Sequence, residues 1–194
     1  KPSAEILSGK NYHQMLENIE RIGRVCYKSE DAIHPGSAEQ FIRNIITRGH
    51  ESVIEHESIS VRVVCDRGVS HEIVRHRIAS YSQESTRYCN YTRDKFGSQL
   101  VCIDIATGFR YNLEDPADRK KYDIWTKAME AAEGFYFQLI EAGARPEEAR
   151  SVLPNSLKTE IVMTMNLREW RHFLRLRSSK RAHPQIAEIA SALL

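Results

Sequence analysis

The sequence lacks paired cysteines, long apolar runs and a large excess of either charge. It has four cysteines, widely spaced and without a C-x-x-C pair: Cys26, Cys65, Cys89 and Cys102. This pattern fits neither a disulfide framework nor a zinc knuckle, and it predicts reduced thiols. No apolar run is long enough to span a bilayer, and the N-terminal residues KPSAEILSGK have no signal-peptide core. We therefore expect a cytoplasmic protein without a membrane partner.

Net charge is also small, because 28 basic residues face 26 acidic ones and the formal charge is +2. General coating of nucleic acid usually needs a larger or one-sided excess, so no nucleic-acid partner is expected. The basic residues are nevertheless clustered, in residues 75–93 and again in residues 168–181. Two basic clusters in a near-neutral chain indicate an anionic ligand held between them.

Several common catalytic motifs are missing. The chain has no G-x-G-x-x-G, no P-loop and no G-x-S-x-G. In HESVIEHE (50–57), the spacing of His50 and His56 does not place both imidazoles on one helical face, as H-E-x-x-H does. We therefore predict no metal site. A nucleophilic hydrolase also has little support, because Ser85 has no base at a fixed spacing and Cys89 has no evident activating histidine.

Length and composition are those of an ordinary globular domain. With 194 residues, of which 41% are hydrophobic and 28% charged, the chain is long enough to bury a core, and we predict one domain over residues 1–194. The sequence ends at Leu194 inside an apparent helix, so we expect a longer native C-terminus. Periodicity predicts helices over 13–27, 38–48, 68–78, 116–142, 146–152 and 167–177, and strands over 59–65, 100–106 and 157–165. Few, separated strands among helices indicate an α+β fold with a mostly antiparallel sheet and one long helix.

Residues 79–99 show little periodicity and predict a long ordered loop, which in a compact domain is usually functional. The run RHRIASYSQESTRY (75–88) leads into it and combines arginines, hydroxyls and an amide. Guanidinium groups, hydroxyls and backbone N–H groups are what a phosphate requires. The alternative is a salt-bridged surface helix, with Ser70 as a possible N-cap, followed by a polar loop.

The helix predicted over 167–177 places an arginine on its apolar stripe. Leu167, Trp170 and Leu174 form the stripe, and Arg177 is the next position along it. An arginine there either extends to solvent or is held in a partly buried site that faces a ligand.

The same helix has a separate basic face made of Arg168, His172 and Arg175. At its start, Asn166 and Glu169 have the spacing of a capping box. Asn166 is most simply the N-cap, but a helix N-terminus is also suited to a phosphate or a polar ring edge.

Four blocks of sequence carry a family resemblance. Arg75-His76-Arg77, followed after seven residues by Ser85, resembles the R-H-R-x7-S signature of the flavin-dependent thymidylate synthases. The other blocks are GHESVIEH (49–56), RSVLPNSL (150–157) and MNLREWRHFLRLR (165–177). They occur in the family's order, and the resemblance spans about residues 11 to 190.

The resemblance implies a homotetramer whose active sites are shared between subunits. It implies FAD as cofactor, with dUMP, methylene-tetrahydrofolate and NADPH as reactants. The implied reaction is reductive methylation of dUMP to dTMP, in which the folate ends as tetrahydrofolate. In the implied reaction no enzyme thiolate attacks the pyrimidine.

The resemblance also assigns roles to residues. Arg177 would stabilise the ionised pyrimidine, and Ser85 and Arg87 would grip the nucleotide phosphate together with Arg150, which makes Arg177 and Ser85 the catalytic candidates. The implied cofactor contacts are Ser52, Arg75, His76, Arg77, Gln83, Asn166, Arg168 and His172. The implied substrate contacts are Glu72, Arg75, Gln83, Glu84, Ser85, Thr86, Arg87, Arg150 and Arg177.

Two segments depart from the family pattern. After Arg177 the family commonly has a histidine and an Ala-Gln-x-Glu-Ile-like run, whereas this chain has Arg181-Ala182-His183-Pro184. Ser82-Gln83 replaces the Asn-Glu of some members. The first departure puts the folate or flavin contacts of that segment in question.

Two other classes of protein are alternatives. A small nucleic-acid-binding module would use both arginine clusters, with Tyr81, Tyr88 and Tyr91 as stacking platforms. A structural oligomer would use the same clusters against acidic faces of its neighbours. The second alternative explains the arginines but not the hydroxyl-rich loop.

Overall fold

A computed structural model of the chain describes residues 1–7, 11–93 and 97–194. Within these residues the chain forms one four-stranded sheet and eight α-helices. The strands are β1 (Ser3–Ile6), β2 (Ser58–Asp66), β3 (Ser80–Gln83) and β4 (Lys158–Asn166). The helices are α1 (Tyr12–Val25), α2 (Ser37–Thr47), α3 (Arg67–Ile73), α4 (Ile105–Phe109), α5 (Pro116–Glu141), α6 (Pro146–Ala149), α7 (Leu167–Arg177) and α8 (Pro184–Ala192). The predicted α+β class is confirmed.

The sheet is antiparallel throughout, with strand order β1-β2-β4-β3. Its centre is the nine-residue pair β2 and β4, in which Val61 faces Met163 and Val63 faces Ile161. These four side chains are buried. Alternating residues of a strand point to one face, so this face becomes the core side of the sheet.

The core side of the sheet is covered by α7 and α8. The side chains packed there include Trp170 and Phe173 of α7 and Ile186 and Ile189 of α8. A second cluster joins α1, α2 and the 3₁₀ helix Glu51–His56 and also contacts α7. As a result α7 is fixed on two sides, and its polar face is held in a defined position.

Most of the predicted elements are confirmed to within a few residues. The long helix α5 begins at Pro116, with Asp115 accepting two backbone N–H bonds at its N-cap. The helix predicted over 146–152 is α6 followed by the 3₁₀ turn Arg150–Val152.

The strand predicted over 100–106 is wrong. Cys102 makes one isolated bridge to Leu157, and the chain then enters α4, because Asp104 caps the N–H of Ala106. The apolar residues that suggested a strand belong in part to this bridge and in part to α4.

The loop predicted over 79–99 is partly wrong, because its first residues form the edge strand β3. Residues 94–96 of this loop lie outside the described residues. Strand β1, at the opposite edge, was not predicted.

The helix predicted over 68–78 ends earlier, at Ile73, and its N-cap is Asp66 rather than Ser70. Ser70 is buried, and its hydroxyl donates to the carbonyl of Arg67. Consequently the Arg75-His76-Arg77 run follows α3 instead of continuing it.

No helix in the part of the chain described by the structure combines the length and apolarity needed to cross a membrane.

Candidate functional site

Helix α7 carries most of the polar groups of the candidate site. Asn166 caps it by accepting the N–H of Glu169 at 2.9 Å, as predicted, but the carboxylate of Glu169 turns away to contact His76. The indole N–H of Trp170 donates to the carbonyl of Ile59 on β2 at 3.0 Å. Because Trp170 is anchored to the sheet, the opposite face of α7 is left exposed.

Four side chains form a continuous polar chain between α3 and α7, which we call the Arg177 network: Glu72, His76, Glu169 and Arg177. Arg177 Nη1 lies 2.8 Å from Glu72 Oε2, and Nη2 lies 3.1 Å from the Glu72 carbonyl oxygen. Arg177 Nε donates to His76 Nε2 at 3.0 Å, and His76 Nδ1 lies 3.0 Å from Glu169 Oε1. The Arg177 side chain is 19% exposed. Arg177 is therefore held in a partly buried site and does not extend freely into solvent.

The protonation of His76 follows from these contacts. A guanidinium only donates, so the His76 Nε2 that faces it must be the unprotonated nitrogen. Burial lowers the pKa of His76 below its ordinary value of 6.5; Arg177 also lowers it, while the bond to Glu169 opposes the shift. The imidazole is therefore neutral at neutral pH, with its proton on Nδ1.

A cleft of about 750 Å³ opens beside the Arg177 network. Three residues expected from the sequence line it: Asn166, Arg168 and His172. The other lining residues are Glu51, Glu55, Ile78, Glu169, Arg171, Leu174, Arg175, Ser178 and Leu194. The basic residues of the cleft belong to the second basic cluster, and the segment that carries the first cluster contributes Ile78, which follows the Arg75-His76-Arg77 run.

Acidic residues of the 3₁₀ helix Glu51–His56 form one wall of this cleft. Arg168 Nη1 lies 2.5 Å from Glu55 Oε1, and Arg171 Nη2 lies 3.4 Å from Glu51 Oε1. Ser52 is exposed on the same 3₁₀ helix. The sequence did not indicate the roles of Glu51, Glu55 or Arg171, because their contacts join segments more than 100 residues apart.

The loop after β3 holds the other group of expected residues. The Ser85 hydroxyl accepts the N–H of Arg87 at 3.3 Å, and Thr86 is buried. Arg87 is exposed and lies 3.9 Å from Glu147 of α6. The loop therefore presents a guanidinium next to a hydroxyl, which suits an anion.

Gln83 and Glu84 are used differently, inside the protein. The amide of Gln83 donates to the hydroxyls of Ser70 and Thr159, at 2.9 and 3.2 Å. Glu84 accepts the phenol of Tyr91 at 2.9 Å, and burial together with Glu84 raises the pKa of Tyr91. These contacts orient the loop. They also occupy the Gln83 amide and the Glu84 carboxylate, which the family resemblance assigned to ligand binding.

Three expected arginines are exposed and have side chains without an ion pair or hydrogen bond to any residue in the described ranges: Arg75, Arg77 and Arg150. In a chain with so many paired charges, these guanidinium groups are available for a ligand. Within the same ranges, no hydrogen bond or ion pair connects Ser85 or Arg87 to Arg177.

One cluster of the described residues has the spacing of a metal site. Ligand atoms of His76, Glu169 and His172 lie within 4.8 Å of one another. Both nitrogens of His76 are already bonded, one of them to the cationic Arg177. A cation would have to break the Arg177 network to bind here.

Comparison with known proteins identifies the family. The sequence profile of the thymidylate synthase complementing protein family matches residues 10–194. The flavin-dependent thymidylate synthase of Pyrococcus furiosus is 35% identical over 86% of this chain and 65% of its own length. The enzymes with that name from Geobacter sulfurreducens and Mycolicibacterium vanbaalenii are 35% and 36% identical, over 88% and 89% of this chain and 72% and 71% of their own lengths. The chain therefore spans about two thirds of the length of these relatives. The chain belongs to the flavin-dependent thymidylate synthase family.

Proposed function

We propose that the chain catalyses the reductive methylation of dUMP to dTMP. Methylene-tetrahydrofolate supplies the carbon and leaves as tetrahydrofolate, and NADPH with one proton supplies the reducing equivalents and leaves as NADP⁺. FAD, when bound, relays the hydride from NADPH to the transferred carbon. The name shared by the relatives supports the flavin and the thymidylate product.

The single observation that carries this proposal is that Arg177 is held partly buried in a network whose Glu169 lines the basic cleft. A pyrimidine that loses its ring proton spreads negative charge over a planar nitrogen and carbonyl edge. A planar, permanently charged guanidinium matches that edge, and its partial burial strengthens the interaction. Arg177 would thus bind the ring and make its carbon more nucleophilic.

The residues of the cleft fit FAD. Its volume of about 750 Å³ lies in the range of ligand pockets, and its arginines suit a diphosphate. Glu51 and Glu55 pair with Arg168 and Arg171, while the guanidinium of Arg175 contacts only His172 among the described residues. Arg175 is then the most available cation in the cleft, and Asn166, Arg168 and His172 would complete the contact.

The nucleotide phosphate would be bound by Ser85, Arg87 and Arg150. The support is their chemistry and exposure, together with the 3.9 Å contact that brings Arg87 to α6, next to the turn carrying Arg150. Because no hydrogen bond or ion pair among the residues that the structure describes connects this loop to Arg177, we propose that active sites form between subunits of a homotetramer. Helix α5 supports assembly, since its Ile124 and Phe135 are 61% and 57% exposed.

Two of the four thiols, those of Cys65 and Cys102, do not suit the role of a thiolate nucleophile. Burial raises the pKa of Cys65 to about 12 and that of Cys102 to about 11, so neither thiol ionises near neutral pH. This agrees with a mechanism in which the ring carbon itself is the nucleophile.

The nucleic-acid-binding alternative is not favoured. Its stacking platform would need exposed tyrosines, but Tyr91 is buried and the Tyr81 hydroxyl donates to the carbonyl of His76 at 2.6 Å. Tyr88 is exposed, and one aromatic ring does not make a platform for successive bases.

The test is a visible absorption spectrum, followed by turnover. After incubation with FAD and desalting, the protein should keep an oxidised-flavin spectrum that bleaches with NADPH, faster when dUMP is present. Adding methylene-tetrahydrofolate should then yield dTMP and tetrahydrofolate in equal amounts. A protein that retains no flavin, or a flavoprotein that forms no dTMP, would overturn the proposal.

A further inference from the structure

We propose that Glu169 is a positioning residue for Arg177 and acts through the tautomer of His76. Neither the family resemblance nor the role expected from the sequence, that of a helix-capping partner, assigns this to Glu169. Its consequence for turnover rests on the proposed function, whereas its effect on His76 and Arg177 does not.

The geometry places His76 between two residues of one helix. Glu169 and Arg177 are eight positions apart on α7, roughly 12 Å along the axis and about 80° around it. His76 inserts between them from the segment after α3, with one nitrogen 3.0 Å from each partner. Glu169 and His76 are only 8% and 5% exposed, so water cannot easily replace either contact.

Apart from the contacts with Glu169 and Arg177, the neighbours of His76 hold the ring in place but leave its proton undetermined. The ring of Phe173 meets the imidazole edge to face, with centroids 4.9 Å apart. The hydroxyl of Tyr81 bonds the backbone carbonyl of His76. Neither contact distinguishes Nδ1 from Nε2, so the bond to Glu169 has a function that packing cannot supply.

Glu169 favours the same tautomer as Arg177 does, from the opposite side of the ring. An ionised carboxylate can only accept, so the nitrogen that faces it must donate. The remaining nitrogen, Nε2, is then an acceptor aimed at Arg177 Nε–H. With the other tautomer, two N–H groups would oppose each other, and Arg177 would lose one of the three contacts that orient its plane.

Protonation of His76 would have the same effect as the wrong tautomer. The charged groups that face His76 are Glu169, His172 and Arg177 from α7 and, through Arg177, Glu72 from α3. An imidazolium would put a second cation and an N–H against Arg177. The orientation of Arg177 should therefore fail at low pH.

The first experiment reads the tautomer directly. In ¹⁵N-labelled, ligand-free protein, the side-chain nitrogens of His76 are assigned by comparison with His76→Gln. We expect an Nδ1–H tautomer at about pH 7.5 and a slowly exchanging Arg177 Nε–H. An Nε2–H or doubly protonated His76 in the wild-type protein would overturn the proposal without any variant.

Variants then separate positioning from simple stabilisation. Glu169→Leu removes the acceptor, and it should enrich the Nε2–H tautomer and speed the exchange of Arg177 Nε–H. Glu169→Gln keeps an acceptor oxygen, and it should retain the wild-type tautomer. Glu20→Gln is the matched control, because Glu20 is also buried and paired, with Arg24 and Ser37, in the distant helix α1. If the Glu169→Leu protein keeps the His76 tautomer and the Arg177 Nε–H exchange rate of the wild type, the proposal is wrong.

Turnover supplies a second readout. We expect Glu169→Leu to lower kcat about 10- to 100-fold with a smaller change in KM for dUMP, as for a misplaced catalytic group, and Glu169→Gln to recover most of the lost kcat.

Because Glu169 raises the pKa of His76, Glu169→Gln should move the acid limb of the activity profile to lower pH. If the wild-type protein has the expected tautomer but makes no dTMP, the proposed function is wrong and the positioning of Arg177 by Glu169 is retained. If the enzyme is active but neither variant changes kcat or the acid limb, the proposed function is retained and the positioning role is wrong.

Discussion

Three nitrogens of the Arg177 guanidinium are bonded to groups from α3 and the segment after it. Nε contacts His76, Nη1 contacts the Glu72 carboxylate, and Nη2 contacts the Glu72 carbonyl. A guanidinium has five N–H groups, so an incoming ring must use the remaining ones or displace a partner. The Glu72 side chain is twice as exposed as that of Arg177, at 38% against 19%, so Glu72 is the partner free to move. A negative ring edge would then take the place of a carboxylate.

At the residue scale, replacing Arg177 should remove catalysis and spare the fold. Arg177→Ala should lower kcat about 100- to 1,000-fold, which is the usual loss for one preorganised donor. Arg177→Lys should recover little, because an ammonium lacks the planar fork. Steady-state dTMP formation and flavin absorbance measure both effects, with Arg119→Ala on the surface of α5 as the control. Normal turnover in Arg177→Ala would remove its proposed role.

A second prediction at this scale concerns pH and stability. Because burial lowers the pKa of His76 below 6.5, the unfolded chain binds this proton more readily than the folded protein does. The free energy of unfolding should therefore be highest above about pH 6.5 and should fall as the pH drops toward the folded-state pKa of His76. Urea denaturation between about pH 7.5 and pH 5 would measure the slope.

The variant His76→Gln isolates the contribution of this histidine. It should flatten the slope relative to wild type, whereas His13→Gln, at an exposed histidine of α1, should not. Equal slopes in all three proteins would mean that His76 does not titrate differently in the folded and unfolded states.

At the scale of elements, the sequence predicted those whose signal is local. The nine-residue strands β2 and β4 alternate clearly, and α5 has a proline and an aspartate at its start. The four-residue strands β1 and β3 lie at the two edges of the sheet, and their extended form depends on partners far along the chain. Such short segments carry too little periodicity of their own to be recognised.

The N-terminus of α7 gives a prediction that separates structure from ligand binding. Asn166→Ala removes the cap on Glu169 N–H and should lower the free energy of unfolding by about 1 kcal/mol. Asn166→Asp keeps an accepting oxygen and should restore most of that loss, because a negative charge also favours a helix N-terminus. If Asn166 also contacts FAD, Asn166→Asp should restore stability without restoring flavin affinity, since the added charge repels a diphosphate. Denaturation and FAD titration of both variants test this. Equal FAD affinities in the wild type and both variants would mean that Asn166 only caps the helix.

For the whole molecule, the parts of the candidate site differ in how far the sequence could reveal them. Motif order pointed to Arg177, Ser85 and the arginines because each lies in a recognisable block. Glu169 could only be interpreted as a capping partner, because its contact with His76 spans 93 residues. The partners of the cleft arginines were hidden for the same reason. Sequence reasoning thus proposed groups for the ligand, and the fold supplied partners that hold some of them in place.

The last prediction tests whether an active site combines residues of different subunits. Arg87→Ala and Arg177→Ala chains should each be nearly inactive as homo-oligomers. If one subunit supplies Arg87 and another supplies Arg177, random co-assembly should leave about a quarter of the sites with both arginines, and activity should reappear. Co-expressed, differently tagged chains purified through both tags provide the mixed oligomer, and sedimentation should give four times the 22.4 kDa chain mass. Mixing two differently tagged Arg177→Ala chains is the control and should stay inactive. If the mixed oligomers are as inactive as the Arg87→Ala and Arg177→Ala homo-oligomers, both arginines of each site come from one chain.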